Sequence, residues 1–154
     1  MITKSKYKNS LNQAVIFCGG FGTRLGSLTK NTPKPLLKVF QNKTILDIII
    51  YNLTRYGIKK ILLLCHYKFN LFKKNYHKKK IKSCTIECIY EKQLLGSAGS
   101  LNNVKNKLEN EFLVCNGDTF FDINLLDLHH SFKKKYLGIV SLASIKDNSF
   151  RYSK

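Results

Sequence analysis

Long hydrophobic runs are missing from this 154-residue chain. Those present, such as Ile61–Cys65 and Ile45–Ile50 with Asp47 inside it, fall far short of the ~20 apolar residues that cross a bilayer, so no membrane span is expected. Behind the basic stretch Met1–Asn9 there is no apolar segment with a small-residue cleavage site. A secretory signal is therefore not expected, and a cytosolic location is. Paired cysteines are missing too. The five cysteines (Cys18, Cys65, Cys84, Cys88, Cys115) contain no CxxC and give no disulfide or zinc spacing. Cys18, Cys65 and Cys115 each close an apolar run and are expected to be reduced core residues. Acidic residues number 9 against 27 basic ones, a formal net charge of +18, yet arginine is scarce: Arg24, Arg55 and Arg151 only. Forked guanidiniums are preferred for specific phosphate and base recognition. The lysines instead fall in scattered clumps at Lys73-Lys74, Lys78–Lys80 and Lys133–Lys135. A lysine-biased composition explains the charge more simply than a nucleic-acid partner, because charge alone sets only non-specific affinity.

What is present suits one globular domain: 44% hydrophobic residues and a mean hydropathy of −0.20. Met1–Asn12 reads as a disordered lead-in, and residues 13–154 as a single domain without repeat or linker. Gln13–Cys18 is a continuous apolar run of strand length, with β-branched Val15 and Ile16, and predicts a buried parallel strand. Gly19–Pro35 reads as a loop and Leu36–Phe40 as a short extended piece. Thr44, with Asp47 three residues on, predicts a capped helix over Ile45–Tyr56 that Gly57 ends. Strands are expected at Lys60–Cys65, Ser83–Tyr90, Glu111–Cys115 and Gly138–Ile145. Helices are expected at Phe69–His77, from Ser97 or Ala98 to Leu108, and at Ile123–Tyr136. This alternation predicts an α/β, Rossmann-like, mostly parallel sheet with helices on both faces.

In such a sheet ligands bind outside the carboxyl ends of the strands. Three features fall there: Gly19–Arg24, Leu95–Gly99 and Asn116–Asp118. The first is the richest. Gly19, Gly20 and Gly22 leave the backbone open to a ligand, Arg24 follows, and Lys34 stands between two prolines that fix φ. Glycines followed by two placed cations make a polyphosphate cradle. A Walker loop would need Gly-Lys-Ser/Thr after its spacer, and the dinucleotide fingerprint would need glycine where Leu25 stands, so both are excluded. Asp122 fits a turn cap, the pair His129-His130 fits a solvated helix face, and His66 has no assigned role.

The ordered set GGFGTRL (Gly19–Leu25), PKP (Pro33–Pro35), LLGSAGSL (Leu94–Leu101) and CNGD (Cys115–Asp118) resembles the sugar-1-phosphate nucleotidyltransferases, or nucleotide-sugar pyrophosphorylases, from about Gln13 to Tyr152. Asn116–Leu125 looks most like the guanylyltransferases acting on heptose or mannose 1-phosphate. The resemblance implies attack of a sugar 1-phosphate oxygen on the α-phosphorus of a nucleoside triphosphate, GTP being favoured, with loss of pyrophosphate. It implies nucleotide contacts from Gly19, Gly20, Gly22 and Thr23, and base contacts from Gly96 and Ser97. It also implies catalytic cations at Arg24 and Lys34, and Mg²⁺ at Asp118. The family pattern continues into a second metal-binding aspartate and a Glu-Lys pair on the sugar phosphate. Those parts are not expected within Met1–Lys154, so the domain reads as C-terminally truncated. The rival expectations are a nucleotide-binding remnant without turnover and, more distantly, a basic nucleic-acid-binding module. The sequence is silent on oligomeric state.

Overall fold

The structure, a computed structural model, describes residues 11–133 and 135–142. By its internal contacts the chain divides into two compact units, Met1–Phe121 and Asp122–Lys154.

The first unit is built on β1 (Gln13–Phe17), the run whose residues are apolar on both faces because both faces are covered. After it come the hairpin β2 (Lys38–Phe40) and β3 (Lys43–Thr44), then α1 (Ile45–Arg55), β4 (Lys60–Cys65) and α2 (Phe69–Tyr76). The unit continues with β5 (Lys80–Ile81), β6 (Cys84–Tyr90), α3 (Gly96–Asn103) and β7 (Phe112–Asn116). Five of these strands make one sheet in the order β5-β6-β4-β1-β7, and β2 and β3 pair separately. All neighbours are parallel except the short edge strand β5, which runs antiparallel to β6. The chain therefore steps outward from β1 through β4 to β6, then returns to the other side of β1 for β7. That reversal opens a crevice at the carboxyl ends of β1 and β7, where an open α/β sheet takes its ligand.

Register decides which helix covers which face. Val15, Leu62 and Leu64 pack with Val104 and, at the margin, Phe17, Ile89, Leu101 and Leu108. The alternate residues Ile16, Leu63 and Cys88 point to the opposite face, where the Cys88 Sγ lies 3.5 Å from the Phe72 carbonyl of α2. Helices on both faces of a mostly parallel sheet are the architecture expected from the alternation. The α1 cap is also as expected: the Thr44 hydroxyl accepts from the Asp47 N–H at 3.0 Å, and the Asp47 carboxylate accepts from the Thr44 N–H at 2.9 Å. Tyr76 of α2 joins this cap by donating to Asp47 Oδ1 at 2.8 Å, and its burial pushes the phenol pKa upward. Gln13, fully buried at the start of β1, is satisfied at both ends of its amide by Lys107 O and Glu109 N.

Several boundaries differ from expectation, each for a local reason. Gly19–Pro35 is not open loop: residues Thr23–Thr29 and Lys34–Leu36 form 3₁₀ turns. Helix α1 ends at Arg55, one residue before the expected Tyr56, and it buries Leu46, Ile49, Ile50 and Leu53 while Tyr51 is exposed. Helix α3 ends at Asn103 and gives way to a 3₁₀ turn at Lys105–Lys107.

In the second unit, α4 covers Leu125–Ser131 only. Asn124 starts it by accepting from the Leu126 N–H, and Phe132 ends it by turning extended. Residues 138–142 are not a strand, and 143–145 of that expected element lie outside the described residues, as do residues 1–10 of the lead-in. Among the described residues, no helix is long and apolar enough to cross a membrane.

Cys18, Cys65, Cys84 and Cys88 are buried and Cys115 is half-buried, all of them unbridged. Burial pushes the Cys84 thiol up to about 11, and Cys88 and Cys115 to about 12. Only the thiolate reacts, and these pKa values leave little thiolate near neutrality. In Ellman assays at pH 8, Cys84 and Cys88 should stay unreacted in the native chain and react fully in urea. Rapid native labelling of either would contradict this packing.

Candidate functional site

The site lies where β1, β4, β6 and β7 end together. Backbone hydrogen bonds run on past the strands: Cys18 N–H to Leu64 O at 2.8 Å, Gly117 N–H to Phe17 O at 2.9 Å, Glu91 N–H to Cys65 O at 2.8 Å. These bonds hold the residues just beyond each strand, Gly19, His66, Glu91 and Asp118, in fixed relation.

Gly117 is what brings Asp118 to β1. A Cβ there would lie 2.6 Å from Cys18 Sγ and 3.1 Å from the Phe17 carbonyl, so only glycine lets the β7 exit close on the β1 exit. Gly22 is required for a second reason. Its φ is +69°, a left-handed conformation that costs other residues energy. A Cβ on it would also strike the Thr29 methyl at 2.9 Å. Buried Thr29 in turn places its hydroxyl 3.0 Å from the Gly22 carbonyl and 3.2 Å from that of Gly26, which folds residues 23–29 back on themselves.

Lys34 enters from the next turn. Pro33 and Pro35 are buried on either side of it, and the turn closes through Leu36 N–H to Pro33 O at 2.8 Å. The lysine backbone is thus fixed while its ammonium reaches across to Asp118 Oδ2 at 2.8 Å. Both side chains are about one third exposed (35% and 33%), so the pair faces the crevice rather than the core. The other carboxylate oxygen, Oδ1, accepts from the Thr119 hydroxyl at 3.2 Å.

The structure thus brings Gly19, Gly22, Lys34 and Asp118 to one crevice, with Gly20 exposed beside them and no atom within 4 Å of where its Cβ would lie. Thr23 and Arg24 sit on the exposed 3₁₀ turn, and Arg24 makes no ion pair among the described residues. Gly96 (φ +67°) and Ser97 are exposed at the start of α3. In the second unit, Asp122 and His130 are exposed and His129 is half-buried.

Two residues escaped the sequence reading. Glu91 is 3% exposed, and its Oε1 has no hydrogen-bond partner among the described residues. A Cβ on Gly19 would lie 3.3 Å from Glu91 Oε2 and 3.3 Å from Leu94, so this buried carboxyl group stands directly beside the first glycine loop. An unsatisfied buried carboxyl costs stability, and such groups are characteristic of ligand sites. A clue was available: Glu91 is one of only 9 acidic residues, placed right after a strand and before a glycine loop. His66 holds the same corner, its Nδ1–H donating to the Glu91 carbonyl at 2.8 Å, which fixes the tautomer because a carbonyl only accepts.

Tyr67 is the second. Its hydroxyl lies 2.6 Å from the Lys30 carbonyl and 3.1 Å from that of Thr29, pinning the turn that carries Arg24 to the end of β4. Phe21 packs against it at 5.3 Å between ring centroids and lines, with Tyr67, Thr23, Ser27 and Lys30, a hollow of about 400 Å³.

Asp118 offers hard carboxylate oxygens of the kind Mg²⁺ takes, one or two carboxylates per ion with phosphate oxygens and water filling the shell. No cluster of three or more acidic, histidine or cysteine side chains that could hold a metal ion occurs among the described residues. The donor set fits a metal that arrives with phosphates rather than a closed protein cage.

A glycine cradle, a proline-braced lysine and an aspartate at the switch point of a parallel sheet describe a nucleotide-handling α/β domain. Residues 13–152 match the family model "Nucleotidyl transferase", and the chain belongs to that family. It is 40% identical over 116 residues to the D-glycero-alpha-D-manno-heptose 1-phosphate guanylyltransferase of Campylobacter jejuni, covering 75% of this chain and 52% of that protein. The enzyme of the same name from Aneurinibacillus thermoaerophilus is 31% identical over 125 residues, 79% of this chain and 54% of that protein. Among solved structures, HddC from Yersinia pseudotuberculosis complexed with GMP-PN superposes with a TM-score of 0.69 at 29% identity, over 79% of this chain and 54% of that one. The chain thus spans about half the length of these relatives.

Removing the Tyr67 hydroxyl tests the loop anchor. Tyr67→Phe should cost about 1 kcal/mol in urea unfolding and speed hydrogen exchange in residues 23–30 while leaving β1 and β4 protected. Unchanged exchange in that loop would show that the hydroxyl does not hold it.

Proposed function

We infer that this chain carries the nucleotide half of a sugar-1-phosphate nucleotidyl transfer, with GTP as donor and D-glycero-D-manno-heptose or mannose 1-phosphate as acceptor. The products are a nucleotide sugar for surface glycan and pyrophosphate, made in the cytoplasm. The observation that carries the reading is the meeting of Lys34 and Asp118, 2.8 Å apart, beside the Gly19–Gly22 loop. Backbone N–H groups of that loop are the donors for the triphosphate, since missing side chains let phosphate oxygens approach. Lys34 stabilises charge on the α-phosphate as the acceptor oxygen attacks, and Arg24, forked and exposed, receives the departing pyrophosphate. Asp118 is the residue that holds Mg²⁺, which neutralises phosphate charge when bound. Positioning and electrostatics carry such phosphoryl chemistry, so no nucleophilic side chain is needed.

Glu91 supports guanine as the base. A guanine edge offers two adjacent donors, N1–H and the N2 amino group, which one carboxylate can accept together, whereas uracil and thymine offer one donor between two carbonyls. Gly96 and Ser97, at the start of α3 just beyond the β6–α3 connection that carries Glu91, would lie against the base.

The second reading is nucleotide binding without turnover. Measurement of GTP binding and of pyrophosphate release with each sugar phosphate and Mg²⁺ separates the two. Lys34→Met and Asp118→Asn should lower release at least about a hundredfold. Glu91→Gln should weaken GTP binding about tenfold and leave UTP binding nearly unchanged. Binding without release supports the second reading, and absence of any nucleotide binding defeats both.

A further inference from the structure

The Lys34–Asp118 contact joins two groups that the proposed reaction uses separately, one on phosphate and one on metal. Each backbone is held in place. Lys34 sits in a turn between buried prolines, with Leu37 N–H bonded to the Lys34 carbonyl at 3.1 Å. Asp118 follows Gly117, whose N–H is bonded to Phe17 O and whose Cα has no room for a side chain. The lysine side chain, with its flexible four-carbon stem, is the part left able to move. Its ammonium already lies on Oδ2, where a divalent cation would bind, and Oδ1 is engaged by Thr119.

We propose that Lys34 is the resting counter-ion of Asp118, so that the carboxylate accepts a divalent cation only as the ammonium transfers to a nucleotide's phosphates. This rests on the reading of Asp118 as the metal ligand. Without nucleotide, an incoming Mg²⁺ must either displace the ammonium or sit beside it, and like charges within a few ångströms repel in this half-exposed setting. A triphosphate removes the conflict by giving Lys34 a new anionic partner and giving the metal its remaining oxygen ligands. Metal and nucleotide binding are therefore coupled, and the coupling acts equally in both directions. The benefit is specificity: a metal alone does not occupy the site, and a nucleotide arriving with its metal does.

Mn²⁺ is the probe, its binding to the nucleotide-free 154-residue chain read by electron paramagnetic resonance. Wild-type chain should bind Mn²⁺ weakly, and Lys34→Met about tenfold more tightly. Lys34→Arg should keep the wild-type weakness. The double variant Lys34→Met/Asp118→Asn should lose what Lys34→Met gained. Equal Mn²⁺ affinity in wild type and Lys34→Met, with Asp118→Asn weakening both, overturns the coupling and leaves Asp118 as ligand. Indifference to Asp118→Asn in both backgrounds overturns the ligand assignment and the coupling with it. A measurement on the unsubstituted chain guards against a variant that misfolds. The Lys34 ammonium resonance should shift with metal-free GTP and stay in place with Mg²⁺ alone, and displacement by Mg²⁺ alone at sub-millimolar concentration overturns the proposal.

Discussion

Everything at the crevice depends on β1 being bonded on both edges up to and beyond its last residue. Cys18 is tied to Leu64 on one side, and the Phe17 carbonyl to Gly117 on the other. A parallel strand so enclosed has no freedom in where it ends, so the glycines after it start from a fixed point. The return of the chain from β6 to β7 then places Asp118 across from that point without any contact of its own making. The site is a consequence of strand order first and of side chains second.

Side-chain chemistry is layered onto this frame with few residues. Glycine at position 117 removes the atom that would hold the two strand exits apart, and Thr29 and Tyr67 fold the long connection back so that the PKP turn faces the crevice. What results carries opposite charges at its centre, the Lys34–Asp118 pair, and a buried carboxyl at its edge. Glu91 is costly where it stands, since a carboxyl oxygen without a partner loses its hydration and gains nothing inside the protein. A folded chain that keeps such a group holds interaction energy in reserve for a ligand. The lysine-rich surface outside the crevice needs no such account, because exposed lysines contribute little to stability or to specificity.

The elements that the sequence made legible are those whose cause is local. Apolar runs of strand length for β1, β4 and β7, and partial alternation for β6, marked these strands to within a residue or two, and Thr44 with Asp47 marked the start of α1. The helix expected over Ile123–Tyr136 was overdrawn because a hydrophobic pattern says where a helix is tolerated. Its ends are set by Asn124 and Phe132. The 3₁₀ turns at 23–29 and 34–36 were not legible either: the first rests on Thr29 and on Tyr67 from another strand end, and the second closes on the Pro33 carbonyl.

Residue order alone therefore determined the chemistry available: a glycine cradle, a braced lysine, an aspartate after a strand, and membership in a nucleotidyl transferase family. Those are fixed by residue type and spacing, which act along the chain. Only the tertiary structure decided that Lys34 meets Asp118 across 84 positions and that Glu91, beside Gly19, has a carboxyl oxygen, Oε1, with no hydrogen-bond partner among the described residues. Both depend on where the sheet reverses direction and on which groups water can reach, and neither is a property of any segment taken by itself.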